Sequence, residues 1–220
     1  SPGSLSALDA WVETSQGDVS VRAGQFIPPS GFDAMRSSSV RLAHEYATAW
    51  TRLFPGIYDI GVMVGTRPDS PQAGRVLAAV HNGPGPNVAD NDDVKDVVIH
   101  YVQPFSNGRG RFHVTHAFGQ TTVVPTEGPK TSSPKDLWAA GASYSSGPWT
   151  GQAEVIGGRA YGARVLGGYA EGAYTTGKHV LFGRYDYYNP DASSRSRLVA
   201  GPRVGYEYHL GQRSKVSLEY

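Results

Sequence analysis

Val216-Ser217-Leu218-Glu219-Tyr220, the last five residues of the sequence, alternate apolar and polar side chains and finish on an aromatic. Successive side chains of an extended strand point to opposite faces. Val216, Leu218 and Tyr220 therefore share one face, and Ser217 and Glu219 share the other. Such a strand suits a boundary between unlike media: lipid on one side, an enclosed wet lumen on the other, and an aromatic at the interface. A soluble edge strand ending in Tyr carries the same pattern, so the reading depends on whether the chain repeats it.

It does repeat. Asp9, Trp11 and Glu13 oppose Leu8, Ala10 and Val12, and Val19, Val21 and Ala23 oppose Ser20, Arg22 and Gly24. Tyr58, Ile60, Val62 and Val64 oppose Asp59, and Val76, Ala78 and Val80 oppose Arg75 and His81. Further on, Val97, Ile99 and Tyr101 oppose Asp96 and His100, while Phe112, Val114 and Phe118 oppose Arg111, His113 and Thr115. Trp138, Ala140, Ala142 and Tyr144 share a face, and so do Gln152 and Glu154. Arg164 to Tyr174 is glycine-rich, and its parity stays open. Leu181, Gly183, Tyr185 and Tyr187 oppose Arg184 and Asp186; Val204, Tyr206 and Tyr208 oppose Arg203 and Glu207. About 12 short strands separated by Gly, Pro, Asn and Asp turns predict an all-β barrel or sandwich.

Three connections look long: 28–56, 82–94 and 119–135. The first holds the only helix-like run, Val40 to Phe54, with Val40, Ala43, Ala47 and Trp50 at helical spacing, Ser39 as N-cap and Pro55-Gly56 as its stop. Short turns alternating with long loops suit a barrel whose two rims face different compartments. A sandwich does not require the alternation.

Composition narrows the field. Hydrophobic residues make up 39% of 220, and mean hydropathy is −0.36. No stretch approaches the roughly 20 apolar residues of a spanning helix, but spanning strands need only about 9–11 residues, half of them apolar. The 28 glycines and 13 tyrosines suit tilted strands and interfaces. The absence of cysteine excludes disulfides, thiolate metal sites and a cysteine nucleophile. A net charge of +1 lacks the basic excess of a nucleic-acid binder.

Motifs for chemistry are weak. His113 and His116 fall on opposite faces of a strand and do not chelate together. Asp90, Asp92, Asp93 and Asp96 offer hard oxygens, yet the run lacks the spacing of a calcium loop. Gly157 to Gly162 lacks the following helix that a phosphate loop requires. His100, His113 and His209 have the chemistry of a base, but no serine beside them forms a nucleophile motif. No metal, cofactor or catalytic residue is expected.

Four stretches resemble the phosphate-selective porin O and P family: Val21 to Phe32 (VRAGQFIPPSGF), Pro55-Gly56 with Asp59 to Val64, Asn82 to Asn87 with Asp90 to Asp93 and Lys95 to Val97, and Gly183 to Asp186 with Asn189-Pro190. The terminal strand also resembles the one that barrel-assembly machinery reads, with Val216, Leu218 and Tyr220 as the signal. The resemblance implies an outer-membrane diffusion pore, commonly trimeric, with a loop folded into the channel. Family barrels have about 16 strands. Twelve satisfy the even count, and strands upstream or on a second chain are the alternatives. The inward charges are mixed: Arg22, Arg75, Arg111, Arg164, Arg184, Arg197 and Arg203 against Asp9, Glu13, Asp59, Asp96, Glu154, Glu171, Asp186, Glu207 and Glu219. The family's phosphate preference is therefore not carried over.

The sequence thus predicts a single all-β domain over 1–220. The fold is an antiparallel transmembrane barrel of about 12 strands in the bacterial outer membrane, with loop 28–56 and its short helix inside the lumen. The expected function is passive diffusion of small hydrophilic solutes or ions, and not an enzyme. The pore-lining set is Arg22, Asp59, Arg75, His81, Asp96, Arg111, Glu154, Arg164, Arg184, Asp186, Arg203 and Glu207; the constriction loop contributes Arg36, Arg41, His44, Glu45 and Arg52. Expected partners are outer-membrane lipid, small solutes or inorganic ions, and a homotrimer or larger envelope complex. An accessory barrel anchoring an envelope complex and a soluble β-sandwich binding domain are the rivals.

Overall fold

The computed structural model describes residues 8–37, 40–66, 70, 72–194, 197–211 and 214–220. Twelve strands follow one another: β1 (Ala10–Gln16), β2 (Val19–Phe26), β3 (Asp59–Thr66), β4 (Arg75–His81), β5 (Asp96–Phe105), β6 (Gly110–Val123), β7 (Thr131–Ser146), β8 (Trp149–Ala160), β9 (Ala163–Thr176), β10 (His179–Asn189), β11 (Val199–His209) and β12 (Lys215–Glu219). They form one antiparallel sheet in sequence order. Two short helices, α1 (Phe32–Met35) and α2 (Thr48–Leu53), lie in the connection between β2 and β3. Among the described residues, no helix is long and apolar enough to cross a membrane.

The sheet curls around that connection. Lys215 of β12 donates to the Arg41 carbonyl at 2.5 Å, and Glu219 accepts from the His44 backbone N–H at 2.6 Å. Tyr46, two residues further, shares a cavity with Asp9 and Trp11 at the other end of the ladder. Both ends of the sheet thus meet the same stretch of loop, and the fold is a transmembrane β-barrel.

The two faces differ as the alternation requires. Leu181, Tyr185 and Leu218 are 64%, 52% and 72% exposed, whereas Arg184, between the first two on the same strand, is 3% exposed. Charged side chains outside and greasy ones within would have contradicted a membrane barrel. Instead the outer skin carries Val62, Val80, Ile99, Val155 and Val204, all exposed. In hydrocarbon such a skin is tolerated because β2 to β11 each pair their backbone groups with a strand on either side.

The expected strands are found with shifted ends. β1 begins two residues later than the alternation suggested. β6 and β7 are 14 and 16 residues long and consume most of the expected loop 119–135, leaving 124–130. Thr121 and Thr122 bond Ser133 and Ser132 across this extension, so hydroxyl pairs continue the ladder where apolar alternation has stopped. The single helix expected from Val40 to Phe54 is replaced by α1 and α2. Ala47, not Ser39, precedes α2, and Ser39 lies outside the described residues. The reason is tertiary: wall and loop carboxylates take the backbone N–H groups of His44, Ala47 and Thr48, so the segment gains more from docking than from continuing a helix.

Candidate functional site in the barrel lumen

The loop occupies the lumen asymmetrically. On one side Trp50 and Leu53 of α2, with Ala47 and Ala49, have no exposed surface. They pack on inward-facing Val98, Ala117, Leu137, Ile156, Val165 and Tyr188 of β5 to β10. Fully burying each large side chain contributes roughly 1.5–3 kcal/mol, so this side is a dry core rather than a wet wall. Gly167 permits the contact: a Cβ there would come 2.5 Å from that of Ala49.

Beside this core, wall carboxylates hold the loop backbone. Glu154 on β8 accepts from the N–H groups of Phe32 and Asp33 at 2.6 and 2.9 Å. The same carboxylate meets His113 Nε2 at 2.7 Å and accepts a hydrogen bond from the Tyr169 hydroxyl, to which Gln152 donates in turn. His113 and His100 both approach the Thr115 hydroxyl, at 3.3 and 2.8 Å. Gly31 lets α1 come this close, since a Cβ would lie 2.6 Å from Glu154 Oε1 and 2.7 Å from the Trp50 ring nitrogen.

A second knot surrounds Arg184, whose guanidinium has no exposed surface. It meets Asp33 at 3.2 Å, Glu171 at 3.5 Å and Asp186 at 3.0 Å, and lies 4.0 Å from the Tyr169 ring centre. Asp33 also accepts from Ala47 N–H at 2.6 Å, and Asp186 from Thr48 N–H at 3.2 Å. Arg36 reaches Glu171 at 3.6 Å, and Arg203 reaches Asp186 at 3.4 Å. Charges in a low-dielectric interior persist only when paired and hydrogen-bonded, and here the loop supplies part of the pairing.

On the opposite side, between the loop and β1 to β3, lies a cavity of about 580 Å³. Asp9, Trp11, Arg22, Arg36, Tyr46 and Tyr58 are among its lining residues, together with Ile27, Met35 and Met63. Arg22 pairs with Glu13 at 2.7 Å, directly across the β1–β2 ladder, and stacks 3.9 Å from the Trp11 ring. Arg41 stacks 3.6 Å from the Tyr46 ring.

The inward charges expected from the sequence therefore divide. Arg22, Arg36 and Arg203 are half-buried, and Arg75 and Arg111 are exposed on the inner face. Asp59, His81, Asp96, Glu154, Arg184, Asp186 and Glu207 also point inward, but each is at most 4% exposed. They are anchors rather than solvated pore lining. Asp59 holds His81 at 2.8 Å and the Gly83 N–H, Asp96 holds Lys135 at 2.7 Å, and Glu207 holds Lys215. Arg164 is misplaced: it sits on the outer face in one cross-strand row with Asp136 and Arg159. The glycines of β9 hid its parity, which is fixed by Val165 and Tyr169 pointing inward.

In the loop, Arg36 and Arg41 lie against the wall and cavity, whereas His44, Glu45 and Arg52 expose their side chains. Val216, Leu218 and Tyr220 face outward together. His116 lies outside, stacked 4.0 Å from Trp138, so it does share no site with His113. In the acidic loop, Asp90 is occupied by Lys95 and Asp92 by Thr122. Among the described residues no His, Asp and Glu cluster suits a metal ion.

Several contributors escaped the alternation. Tyr46 and Gly31 lie in irregular chain, and Asp33 in the single turn of α1, which is too short to show a period. Tyr58 seemed to continue the lipid-facing series of Ile60, Val62 and Val64, but β3 starts after it, and the left-handed Ile57 (φ 67°) turns it to the cavity. Lys135 belongs to the unanticipated extension of β7.

Comparison with solved structures agrees with this architecture. The chain superposes on "Outer-membrane expressed OmpT of Vibrio cholerae" with a TM-score of 0.61 and 12% identity, over 95% of its own length and 67% of that chain. For in-vitro folded OmpT, an outer membrane protein of Vibrio cholerae, the TM-score is 0.54 at 13% identity, over 91% and 64% respectively. The chain thus spans about two thirds of the length of these barrels. The fold is that of bacterial outer-membrane β-barrels, and it supports the expected outer-membrane location. No family model matches the chain, and no curated protein matches it. The finer likeness to phosphate-selective porins rests on the four sequence stretches alone.

Proposed function

We propose that the protein is an outer-membrane porin that passes small hydrophilic solutes or ions by diffusion. One observation carries this reading: the cavity of about 580 Å³ left between the inward loop and β1 to β3, bordered by Asp9, Arg22 and Arg36. A loop that filled the lumen on every side would suit an anchor better than a channel. Here the packed side holds the loop still, and the cavity side offers a path beside fixed charges that steer ions. The reading takes the pore from the porin resemblance and leaves the phosphate preference aside. It is also a non-catalytic reading: His100 and His113 are buried and engaged with Thr115 and Glu154, away from that cavity.

The test is conductance of the purified, folded protein in planar bilayers. Ohmic single-channel steps in potassium chloride are expected, with a conductance that falls when Arg22 and Arg36 are replaced by Gln at low salt. A folded, heat-modifiable barrel that gives no steps would favour the accessory-barrel reading.

A further inference from the structure

The proposed passage is bordered by unusual company for a water-filled constriction. Trp11, Tyr46 and Tyr58 line it, together with Met35 and Met63. The cations beside these rings are already disposed toward aromatic faces: Arg22 over Trp11 at 3.9 Å and Arg41 over Tyr46 at 3.6 Å. Arg41 is 6% exposed, and among the described residues its Nε and Nη1 have no hydrogen-bond partner. Its Nη2 donates to the neutral His44 carbonyl, and no carboxylate among the described residues pairs with it. By contrast Arg22 is matched by Glu13, and Arg36 is held only loosely by Glu171, at 3.6 Å.

Resting on the pore reading above, we infer that the cavity selects flat aromatic monoanions over small inorganic or aliphatic anions of the same charge. Rings stack on Trp11, Tyr46 and Tyr58, while the anionic end lies toward Arg36 and the positive field of Arg41 behind Tyr46. Asp9 on the same cavity opposes a second negative charge and so disfavours dianions.

The probe is benzenesulfonate against methanesulfonate, both permanently ionised and unable to leak through lipid as neutral acids. In a passage without affinity, the larger ion enters proteoliposomes more slowly. Here the benzenesulfonate to methanesulfonate rate ratio is expected to exceed one, and to fall several-fold, to below one, in Tyr46→Leu and in Arg36→Gln. Benzenesulfonate should also interrupt potassium chloride current in the unaltered channel. Ohmic steps with a ratio below one in the unaltered protein would overturn the inference while leaving the pore intact. Ohmic steps with a ratio above one that survives both substitutions would also overturn it, since the selectivity would then arise elsewhere. A folded barrel without steps would remove the pore and this inference together.

Discussion

Along β5 to β10 the inner wall meets the loop through Trp50, Leu53 and a set of buried carboxylates. Along β1 to β3 it meets the same loop across a cavity of about 580 Å³. Both regions have the same strand periodicity and the same apolar skin. What differs is how the inward side chains are used. On the packed side Glu154, Asp186 and Arg184 are buried and engaged by backbone N–H groups, His113 and neighbouring charges. On the cavity side Arg22 and Arg36 keep part of their surface in solvent. An inward charge in a barrel is therefore not by itself a pore charge. It becomes an anchor where a loop covers it, and it remains available to solutes where the loop stands off.

The comparison can be broken most forcefully at Trp50. Trp50→Ala removes the centre of the dry core and the bond from its ring nitrogen to the Ser30 carbonyl. A loss of about 3–5 kcal/mol is expected in urea titrations of the lipid-reconstituted barrel, with conductance rising as the loop leaves β5 to β10. Unchanged stability would mean that the loop does not pack there.

A substitution on the outer face of the same region should separate skin from core. Val155 is exposed and lies on β8 beside inward Glu154. Val155→Arg should cost about 2–4 kcal/mol in lipid, as expected for a cation facing hydrocarbon, and leave conductance as it was. Little cost would argue that this face is not in the bilayer.

Glu154→Gln keeps the shape of the anchor and removes its charge. With Phe32, Asp33, Tyr169 and His113 all converging on it, about 1–3 kcal/mol should be lost. Single-channel current noise should increase as α1 loosens. If the noise spectrum is that of the unaltered channel, the carboxylate does not hold the loop.

On the cavity side, Arg22→Gln should cost under about 1 kcal/mol because its pair with Glu13 is half-exposed. Its effect should appear in ion selectivity, read from reversal potential. A large destabilisation there would erase the distinction between the two regions.

The smallest effect belongs to the 82–95 connection between β4 and β5. The hydrogen bond from Lys95 lowers the Asp90 carboxyl below its ordinary value of 3.8. The folded form therefore gains only while Asp90 is ionised; this gain is present above 3.8 and disappears as pH falls through the lowered value. An NMR titration should show the Asp90 midpoint moving up in Lys95→Met.

Much of the architecture could be read from the chain because a strand's period of two is rigid. His113 and His116, three apart, had to face opposite media, and they do. Leu181 and Arg184 likewise had to part. Arg164 failed this reading because Gly167, Gly168 and Gly172 of the same strand carry no side chain to mark a face. The helix expected from Val40 failed for another reason: Asp33, Asp186 and Glu219 lie outside that segment, and only the folded barrel brings them to its backbone.

The alternation of apolar and ionic residues, as in Val216 to Tyr220 and Leu181 to Tyr187, determined by itself that this chain forms two-faced strands, apolar on one side and ionic on the other. That is a local property, since each residue's face follows from its neighbours' parity. Which inward charges are buried anchors and which border open space was decided only by tertiary structure. It depends on where one irregular loop comes to rest, and that position is set by contacts between residues more than 100 positions apart, such as Phe32 and Glu154.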